Sequence, residues 1–284
     1  MAAAAAPRSY VRFEIVDFNG KALSKTVPRR HKDRQVYFYS GALAMGANSE
    51  VLVFPDEVAS AGCPNIRLVP DWSTEQVLPW AGREGLEVRR VYCEQAWGAA
   101  GAGDDRRNEA LPRTVCAKLL KELQEAGFEL MAGGEQEFTL CEQGGDGQWK
   151  PYFQGVDILA TLQNVKAEDY CYDLEAHMEQ VGVDILTMNT EYGAGQIEIT
   201  FMPKCGVEAA DALHTFRTGA KEIAVKRGLR AAFMTRPFGV RGVGNGGHFN
   251  FSLWTPPACA ATAAAGRVSA FHSGSDADGL SDTA

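Results

Sequence analysis

The sequence lacks any excess of basic residues. Its 284 residues include 28 Lys and Arg against 36 Asp and Glu, which gives a formal net charge of -8 and an isoelectric point near 5.2. Nucleic acids and anionic membrane surfaces attract clustered positive charge, so this balance argues against both as partners. The composition is compatible with small polar substrates and with metal-bound substrates.

The sequence also lacks a long apolar run. No stretch approaches the roughly 20 apolar residues of a membrane span. The first seven residues have no basic segment followed by an apolar core, which is the pattern of a secretory signal. We therefore predict a disordered leader and a cytoplasmic location.

The seven cysteines are an odd number and show no CxxC spacing. Together with the missing secretory signal, this pattern favours reduced thiols over a disulfide framework. We interpret the cysteines as small buried apolar residues, because a zinc site would need ligands at closer and more regular spacing.

The first hundred residues are mostly strand. Apolar and charged residues alternate over 10–16, and Asp17-Phe-Asn-Gly20 supplies a turn before a second strand over 21–27, which predicts a hairpin. Further strands are predicted over 36–39, 50–54, 66–69 and 87–93.

A Gly- and Ala-rich stretch over 99–105 is typical of a linker and places a domain boundary there. We predict one domain over 8–104 and a second over 105–284. In the second, helices are expected over 111–127, 167–181 and 207–227, alternating with strands. This order predicts an α+β fold whose second sheet curls toward a barrel.

Two carboxylates lie side by side on one predicted strand. Glu135 and Glu137 are two residues apart, so they point to the same face of the sheet. Like charges held this close shift their pKa values or share a cation, and a shared cation is favoured when other oxygen ligands converge.

Two later segments repeat this alternation. Glu191 precedes a Gly-rich turn, and Glu198 alternates with apolar neighbours on the strand that follows. His248 alternates in the same way with three apolar residues of a third strand. We therefore predict that Glu135, Glu137, Glu191, Glu198 and His248 share one polar face.

Four carboxylates and one imidazole suit Mg²⁺ or Mn²⁺ better than zinc, and phosphate is the expected companion ligand. Each segment alone is better explained by solvated carboxylates at a sheet edge, and only the coincidence of three such strands favours a metal site. The segment 242–247 resembles a phosphate-binding loop, but it has no following Lys-Ser/Thr and precedes a strand instead of a helix. Close approach of backbone to a ligand explains its glycines better.

Three segments in this order resemble the successive signatures of glutamine synthetases. They are Gly134-Glu-Gln-Glu-Phe138, Glu191-Tyr-Gly-Ala-Gly-Gln-Ile-Glu198 and Gly244-Asn-Gly-Gly-His248-Phe-Asn-Phe-Ser252. The resemblance runs from about residue 10 to the end and is strongest to type I proteins, in particular the lengsin-like branch. It implies a β-grasp-like N-terminal domain followed by a catalytic α/β barrel-like domain.

By this resemblance, Glu137, Glu191 and Glu198 would hold one Mg²⁺ or Mn²⁺, with Glu135 and His248 giving part of a second site. Asn245 and Gly246 would lie against the substrate glutamate, and Ser252 would contact ATP. The implied reaction joins ammonia to the glutamate side chain through a γ-glutamyl phosphate. The family also implies a homo-oligomeric ring with active sites between subunits.

The sequence departs from the family pattern in three places. The β-grasp loop over 37–50 lacks the Asp that helps to deprotonate ammonium, and Asn189 or Thr190 replaces a His that often precedes Glu191. The family's Arg-rich segment and last metal-binding Glu lie beyond the third signature. We therefore expect a C-terminally truncated fragment that is inactive or poorly soluble alone.

Three functional interpretations follow from these observations. The first is a glutamate–ammonia ligase, or a ligase that uses another amine, present here as an incomplete copy. The second is a non-catalytic lengsin-like scaffold or chaperone that binds cytoskeletal partners. The third is an α/β protein whose glutamates are merely solvated.

Overall fold

The computed structural model describes residues 8–46, 50, 62, 64–97, 106–155, 157–239, 242–255, 269–272 and 281. Helices and strands are mixed along the chain, which divides into two units, Met1–Lys118 and Leu119–Ala284. The predicted linker over 99–105 lies outside the described residues, and so does the predicted strand over 50–54 apart from residue 50.

The first unit contains a six-stranded sheet. Its strands β1 to β6 are Arg8–Val16, Ala22–Pro28, Val36–Tyr39, Asn65–Pro70, Gln76–Val77 and Leu86–Ala96. The order is β2-β1-β6-β4-β3, with β5 paired to β6, and only the β1–β6 pair is parallel. The sequence-predicted strands within the described residues are confirmed.

The predicted hairpin is formed by β1 and β2. Asp17 closes the turn, since its side chain accepts hydrogen bonds from the backbone N–H of Asn19 and Lys21 at 2.9 and 2.8 Å. Gly20 has a φ of 74°, a conformation that glycine adopts without steric cost. This local chemistry fixes the register in which Phe13 faces Lys25.

The core of the first unit forms because alternate residues of β1 point to the same side. Val11, Phe13 and Ile15 are buried and pack with apolar residues of β3, β4 and β6. Glu14 is also buried, although it points to the opposite face of β1 from Phe13 and Ile15. Its carboxylate lies 4.0 Å from the guanidinium of Arg90 of β6.

Three α-helices are present in the described residues. They are α1 (Pro112–Glu125), α2 (Thr161–Gln180) and α3 (Val207–Lys226). The predicted spans of α1 and α3 agree with these bounds. The prediction for α2 began too late, at residue 167, because the first turns expose Leu162 and Val165 and so carry no apolar periodicity.

The sheet of the second unit is organised around its longest strand, β7 (Glu129–Gln143). The other strands, β8 to β13, are Trp149–Pro151, Ile185–Thr190, Gln196–Phe201, Lys204–Cys205, Arg230–Ala232 and Gly247–Trp254. Both β10 and β13 pair antiparallel with β7 at Glu135, so they flank β7 on opposite edges. The three predicted signature segments therefore form three adjacent strands or their ends.

One face of this second sheet is covered by helices α2 and α3. Phe138 of β7 is fully buried there, with its ring 6.1 Å from that of Tyr170 and 6.2 Å from that of Phe216. Residues of odd number on β7 point to the other face, away from this core. Glu135 and Glu137 are consequently kept on the face opposite the helices.

The cysteines follow the prediction in part. Cys93, Cys141 and Cys171 are buried free thiols, and burial raises the pKa of Cys141 to about 11 and that of Cys171 to about 12. Cys205 is disulfide-bonded, so the expectation of reduced thiols throughout was wrong there.

Within the described ranges, none of the helices combines the length and the apolar character needed to cross a membrane.

Candidate metal centre

The register of three strands gathers the predicted acidic residues. Glu198 of β10 lies directly opposite Glu137 of β7, and His248 of β13 lies directly opposite Glu135. Directly opposed residues of antiparallel strands project from the same face of the sheet. The structure thus brings Glu135, Glu137, Glu198 and His248 onto one polar face, as the alternation predicted.

Three of these residues converge closely. Ligand atoms of Glu135, Glu198 and His248 all lie within 4.8 Å of one another. His248 Nδ1 is 2.7 Å from Glu135 Oε2, and Asn250 Nδ2 donates to Glu135 Oε1 at 2.9 Å. The side chains are accessible, with 32% of Glu135 and 64% of His248 exposed.

The contact between Glu135 and His248 shifts the pKa values of both side chains. The hydrogen bond from His248, followed by that from Asn250, lowers the pKa of the Glu135 carboxyl. The same hydrogen bond and the carboxylate charge raise the pKa of His248. When it is protonated, His248 places a positive charge beside the Glu135 carboxylate.

Glu137 is anchored through one of its two carboxylate oxygens. Oε2 accepts a hydrogen bond from the backbone N–H of Gly246 at 2.8 Å and a short one from Gln196 Nε2. Among the residues that the structure describes, none donates to Oε1. Glu137 can therefore offer one oxygen to a ligand while the other stays bound to the protein.

Glu191 lies just beyond β9, next to Glu198. Asn189 Nδ2 donates to a carboxylate oxygen of each residue at 3.3 Å. Burial, followed by the charge of Glu198, raises the pKa of the Glu191 carboxyl. Asn189 thus bridges two predicted metal ligands, a contact that strand alternation alone did not reveal.

The Asn245 side chain is directed into the protein. Its amide donates to the backbone carbonyls of Ala232 and Met234 at 3.1 and 2.8 Å, and it also bonds Thr139. This anchors the loop before β13. Gly246 of the same loop lies against Glu137, because a Cβ added to Gly246 would be 3.2 Å from Glu137 Oε1.

Ser252 lies beside a cleft of about 430 Å³ on the second unit. Glu135, Asn250 and Gly133 also line this cleft, so it opens next to the acidic cluster. The Ser252 hydroxyl accepts a hydrogen bond from Trp254 Nε1 at 2.7 Å. Gly133 leaves room for the cleft, because the strand carries no side chain at that position.

Few of the described positively charged side chains lie close to the acidic cluster. Within the described ranges, no Lys or Arg forms an ion pair with Glu137, Glu191 or Glu198. Carboxylate oxygens and a single imidazole are ligands that hard divalent cations accept. The donor set therefore fits Mg²⁺ or Mn²⁺, with Glu135, Glu137, Glu191, Glu198 and His248 as the residues that would hold them.

The second unit is therefore an α/β structure whose sheet has helices on one face and converging carboxylates on the other. The family model described as glutamine synthetase, catalytic domain, matches residues 109–284. The chain belongs to this family.

Curated relatives carry three kinds of name. The chain is 29% identical to lengsin of Canis lupus familiaris over 260 residues, 32% identical to a glutamine synthetase of Staphylococcus aureus over 284 residues, and 26% identical to a glutamate–isopropylamine ligase of a Pseudomonas species over 262 residues. These matches cover 86%, 97% and 86% of the chain, but 41%, 56% and 54% of the relatives. The chain spans about half the length of the curated relatives it matches.

Solved structures show the same fold. A novel glutamine synthase homologue superposes with a TM-score of 0.77 at 19% identity, covering 98% of this chain and 61% of the other. GmaS in complex with ADP superposes with a TM-score of 0.74 at 23% identity, covering 97% and 58%.

Proposed function

We propose that this chain provides the divalent-cation site of a ligase that joins ammonia, or another amine, to the side-chain carboxylate of glutamate at the expense of ATP. The convergence of Glu135, Glu198 and His248 within 4.8 Å carries this proposal. Family membership and the names of the relatives support this reaction class.

The proposed reaction has two steps. The γ-phosphoryl group of ATP is transferred to the glutamate side chain, which forms an acyl phosphate and releases ADP. The amine then attacks the acyl carbon, its surplus proton passes to a base, and phosphate leaves as the amide forms. Mg²⁺ or Mn²⁺, when bound, would neutralise charge on the transferring phosphoryl group.

We assign the acidic residues of this chain to two cation sites. Glu137, Glu191 and Glu198 would hold one cation, and Glu135 with His248 would provide part of the site for a second. Anchoring of Glu137 by Gly246 keeps that carboxylate in a fixed position before a cation arrives.

Two substrate subsites complete this assignment. The loop of Asn245 and Gly246 would contact glutamate through its backbone, since the Asn245 side chain is bonded within the protein. The cleft at Ser252 would take the nucleotide.

We also propose that the two predicted domains, 8–104 and 105–284, are a β-grasp-like domain and the first part of the catalytic domain. The six-stranded sheet of the first unit supports the former, and the family match that begins at residue 109 supports the latter. A homo-oligomeric ring is proposed on family grounds.

A non-catalytic, lengsin-like role is the second candidate. It is supported by the similarity to dog and human lengsins, at 29% and 30% identity, and by the lack of the family's loop Asp over 37–50. Cytoskeletal partners belong to this candidate alone.

Mn²⁺ binding and ADP release test these candidates. Electron paramagnetic resonance would count bound Mn²⁺, and a coupled assay would follow ADP in the presence of glutamate with ammonium or isopropylamine. Glu198→Ala and Glu137→Ala should each abolish tight Mn²⁺ binding. Glu142→Ala is the matched control, because Glu142 lies on β7 but pairs with Lys150 at 3.1 Å.

Amine-dependent ADP release that both substitutions abolish would establish the ligase. Mn²⁺ binding without ADP release, measured on a protein extended to the full open reading frame, would favour the non-catalytic candidate. If wild-type protein binds no more Mn²⁺ than the two Ala variants, the metal-centre assignment is wrong.

A further inference from the structure

Gln196 connects three separate parts of the metal centre. It is the first residue of β10 and is 2% exposed. Its Nε2 donates to Glu137 Oε2 and to the carbonyl of Gly244 at 3.0 Å, and its Oε1 accepts from the N–H of Gly193 at 2.8 Å. A single buried amide therefore bonds β7, the turn before β10 and the loop before β13.

The amide nitrogen is used completely by these contacts. Both Nε2 hydrogens have an acceptor, and one acceptor is the carboxylate that the family resemblance assigns to a metal. The same carboxylate oxygen receives the N–H of Gly246. Two donors from different segments thus hold Glu137 Oε2, and the rotation of the carboxylate is restricted.

The neighbouring turn is shaped to seat this side chain. A Cβ at Gly193 would lie 2.5 Å from Gln196 Oε1, so only glycine allows this approach. Gly195 has a φ of 67°, and a Cβ there would lie 2.5 Å from the carbonyl oxygen of Leu140. The Gly-Ala-Gly turn therefore brings the backbone against both β7 and the amide.

We propose that Gln196 is a positioning residue that orients the Glu137 carboxylate for the cation and ties it to the glycine-rich loop at 242–246. The inference rests on the proposed metal centre. Residues that hydrogen-bond a metal ligand change metal affinity by about 10- to 100-fold when replaced. Gln196 has the contacts for such an effect, and its amide nitrogen and oxygen are both hydrogen-bonded to protein, so we assign it no role as a ligand.

Gln196→Met tests the proposal, because it keeps the length and volume of the side chain but removes the amide. Mn²⁺ affinity of the full chain should fall by about 10- to 100-fold, measured by electron paramagnetic resonance. Gln163→Met is the matched control. Gln163 is also a buried glutamine of the second unit, 7% exposed, and its amide atoms find no partner among the described residues. Its replacement should leave Mn²⁺ affinity unchanged.

A double-mutant cycle with Glu137→Gln separates positioning from general damage. If Gln196 acts through Glu137, then Gln196→Met should weaken Mn²⁺ binding by less than about 3-fold once Glu137 is already Gln. If the two losses multiply, Gln196 affects the site through the fold at large and the proposal is wrong. Thermal unfolding in metal-free buffer shows whether each variant is folded.

The outcomes also separate this inference from the proposed function. Wild-type binding with unchanged affinity in Gln196→Met overturns the inference and leaves the metal centre intact. Wild-type protein that fails to bind Mn²⁺ overturns both. Three outcomes taken together establish the positioning role. Mn²⁺ binding is weaker in Gln196→Met, it is unchanged in Gln163→Met, and the losses from Gln196→Met and Glu137→Gln do not multiply.

Discussion

The sheets of the two units treat negative charge differently. In the first, Glu14 is only 2% exposed, but Arg90 lies 4.0 Å away and also donates to Gln76 at 2.9 Å. In the second, Glu137, Glu191 and Glu198 lie together, and no described Lys or Arg forms an ion pair with them. The first sheet neutralises its buried charge with its own residues, whereas the second leaves charge available to a cation.

This difference distinguishes a structural carboxylate from a binding one. A buried carboxylate that serves only the fold needs a partner within the protein, because an uncompensated buried charge is strongly unfavourable. Carboxylates that are grouped, partly exposed and without a cationic partner raise the energy of the empty site. Binding of a divalent cation removes that repulsion, so their arrangement favours the bound state.

The largest expected effect concerns the paired charge of the first sheet. Arg90→Met removes the cation that lies 4.0 Å from the buried Glu14 carboxylate and should lower the free energy of unfolding by about 3–5 kcal/mol. Combining it with Glu14→Leu should recover most of that loss, since both charges are then gone. Urea denaturation measures both. A loss under about 1 kcal/mol for Arg90→Met would show that the pair is not a structural requirement.

The second prediction concerns the unpaired charge. Mn²⁺ at about 100 times its Kd should raise the free energy of unfolding by about 2.7 kcal/mol, because the ion binds only the folded centre. Glu198→Gln should abolish this stabilisation, whereas Glu142→Gln should keep it. Thermal unfolding with and without Mn²⁺ provides the measurement. Equal stabilisation in all three proteins would place the ion elsewhere.

The third prediction isolates repulsion inside the empty centre. Glu191→Gln should stabilise the metal-free protein at pH 7 by roughly 0.5 kcal/mol, in the range of partly exposed charge contacts. Burial and Glu198 raise the pKa of Glu191, so its charged form costs stability as the pH rises above 4.5. The advantage of the variant should therefore vanish as the pH falls toward 4.5. A variant less stable than wild type at pH 7 would refute this account.

The smallest effect is the titration of His248. Its pKa should lie above 6.5 in the metal-free protein and return toward that value in Glu135→Gln, as measured by NMR of the imidazole. The stabilising contribution of protonated His248 is present at low pH and is lost as the pH rises through its raised pKa. That of Glu135 is lost as the pH falls through its lowered pKa.

Asn250→Ala is the control for this titration. It removes the second hydrogen bond to Glu135 while leaving the contact with His248 in place, so His248 should keep most of its shift. An unshifted His248 in wild type would mean that the pair does not form in solution.

Much of this arrangement was predictable from alternation along the strands. The hairpin at Asp17, the strand at 36–39 and the shared face of Glu135, Glu137, Glu198 and His248 follow from local residue patterns. These patterns are reliable because a strand that buries one face must place polar residues on the other.

The contacts of the amide side chains were not predictable in the same way. Gln196 lies on the same face of β10 as Glu198, two residues away, and would therefore be expected to be accessible. It is buried because the loop containing Gly244 covers it, and Gly244 is 48 positions away in the sequence. Asn189 bridges Glu191 and Glu198 only because the chain turns after β9. The early start of α2 was missed because Leu162 is 84% exposed there.

The pairing of β7 with β13 has one further consequence. His248 and Asn250 point to the polar face, while Phe249 and Phe251 alternate with them and are 54% and 58% exposed on the other. A slip of one residue would set an aromatic ring opposite Glu135 and turn the imidazole away. The loop before β13 is held by hydrogen bonds from Asn245 to Thr139 and from Gly246 to Glu137. These bonds therefore also fix the register of β13 against β7, and this register determines which side chains of β13 face the metal centre.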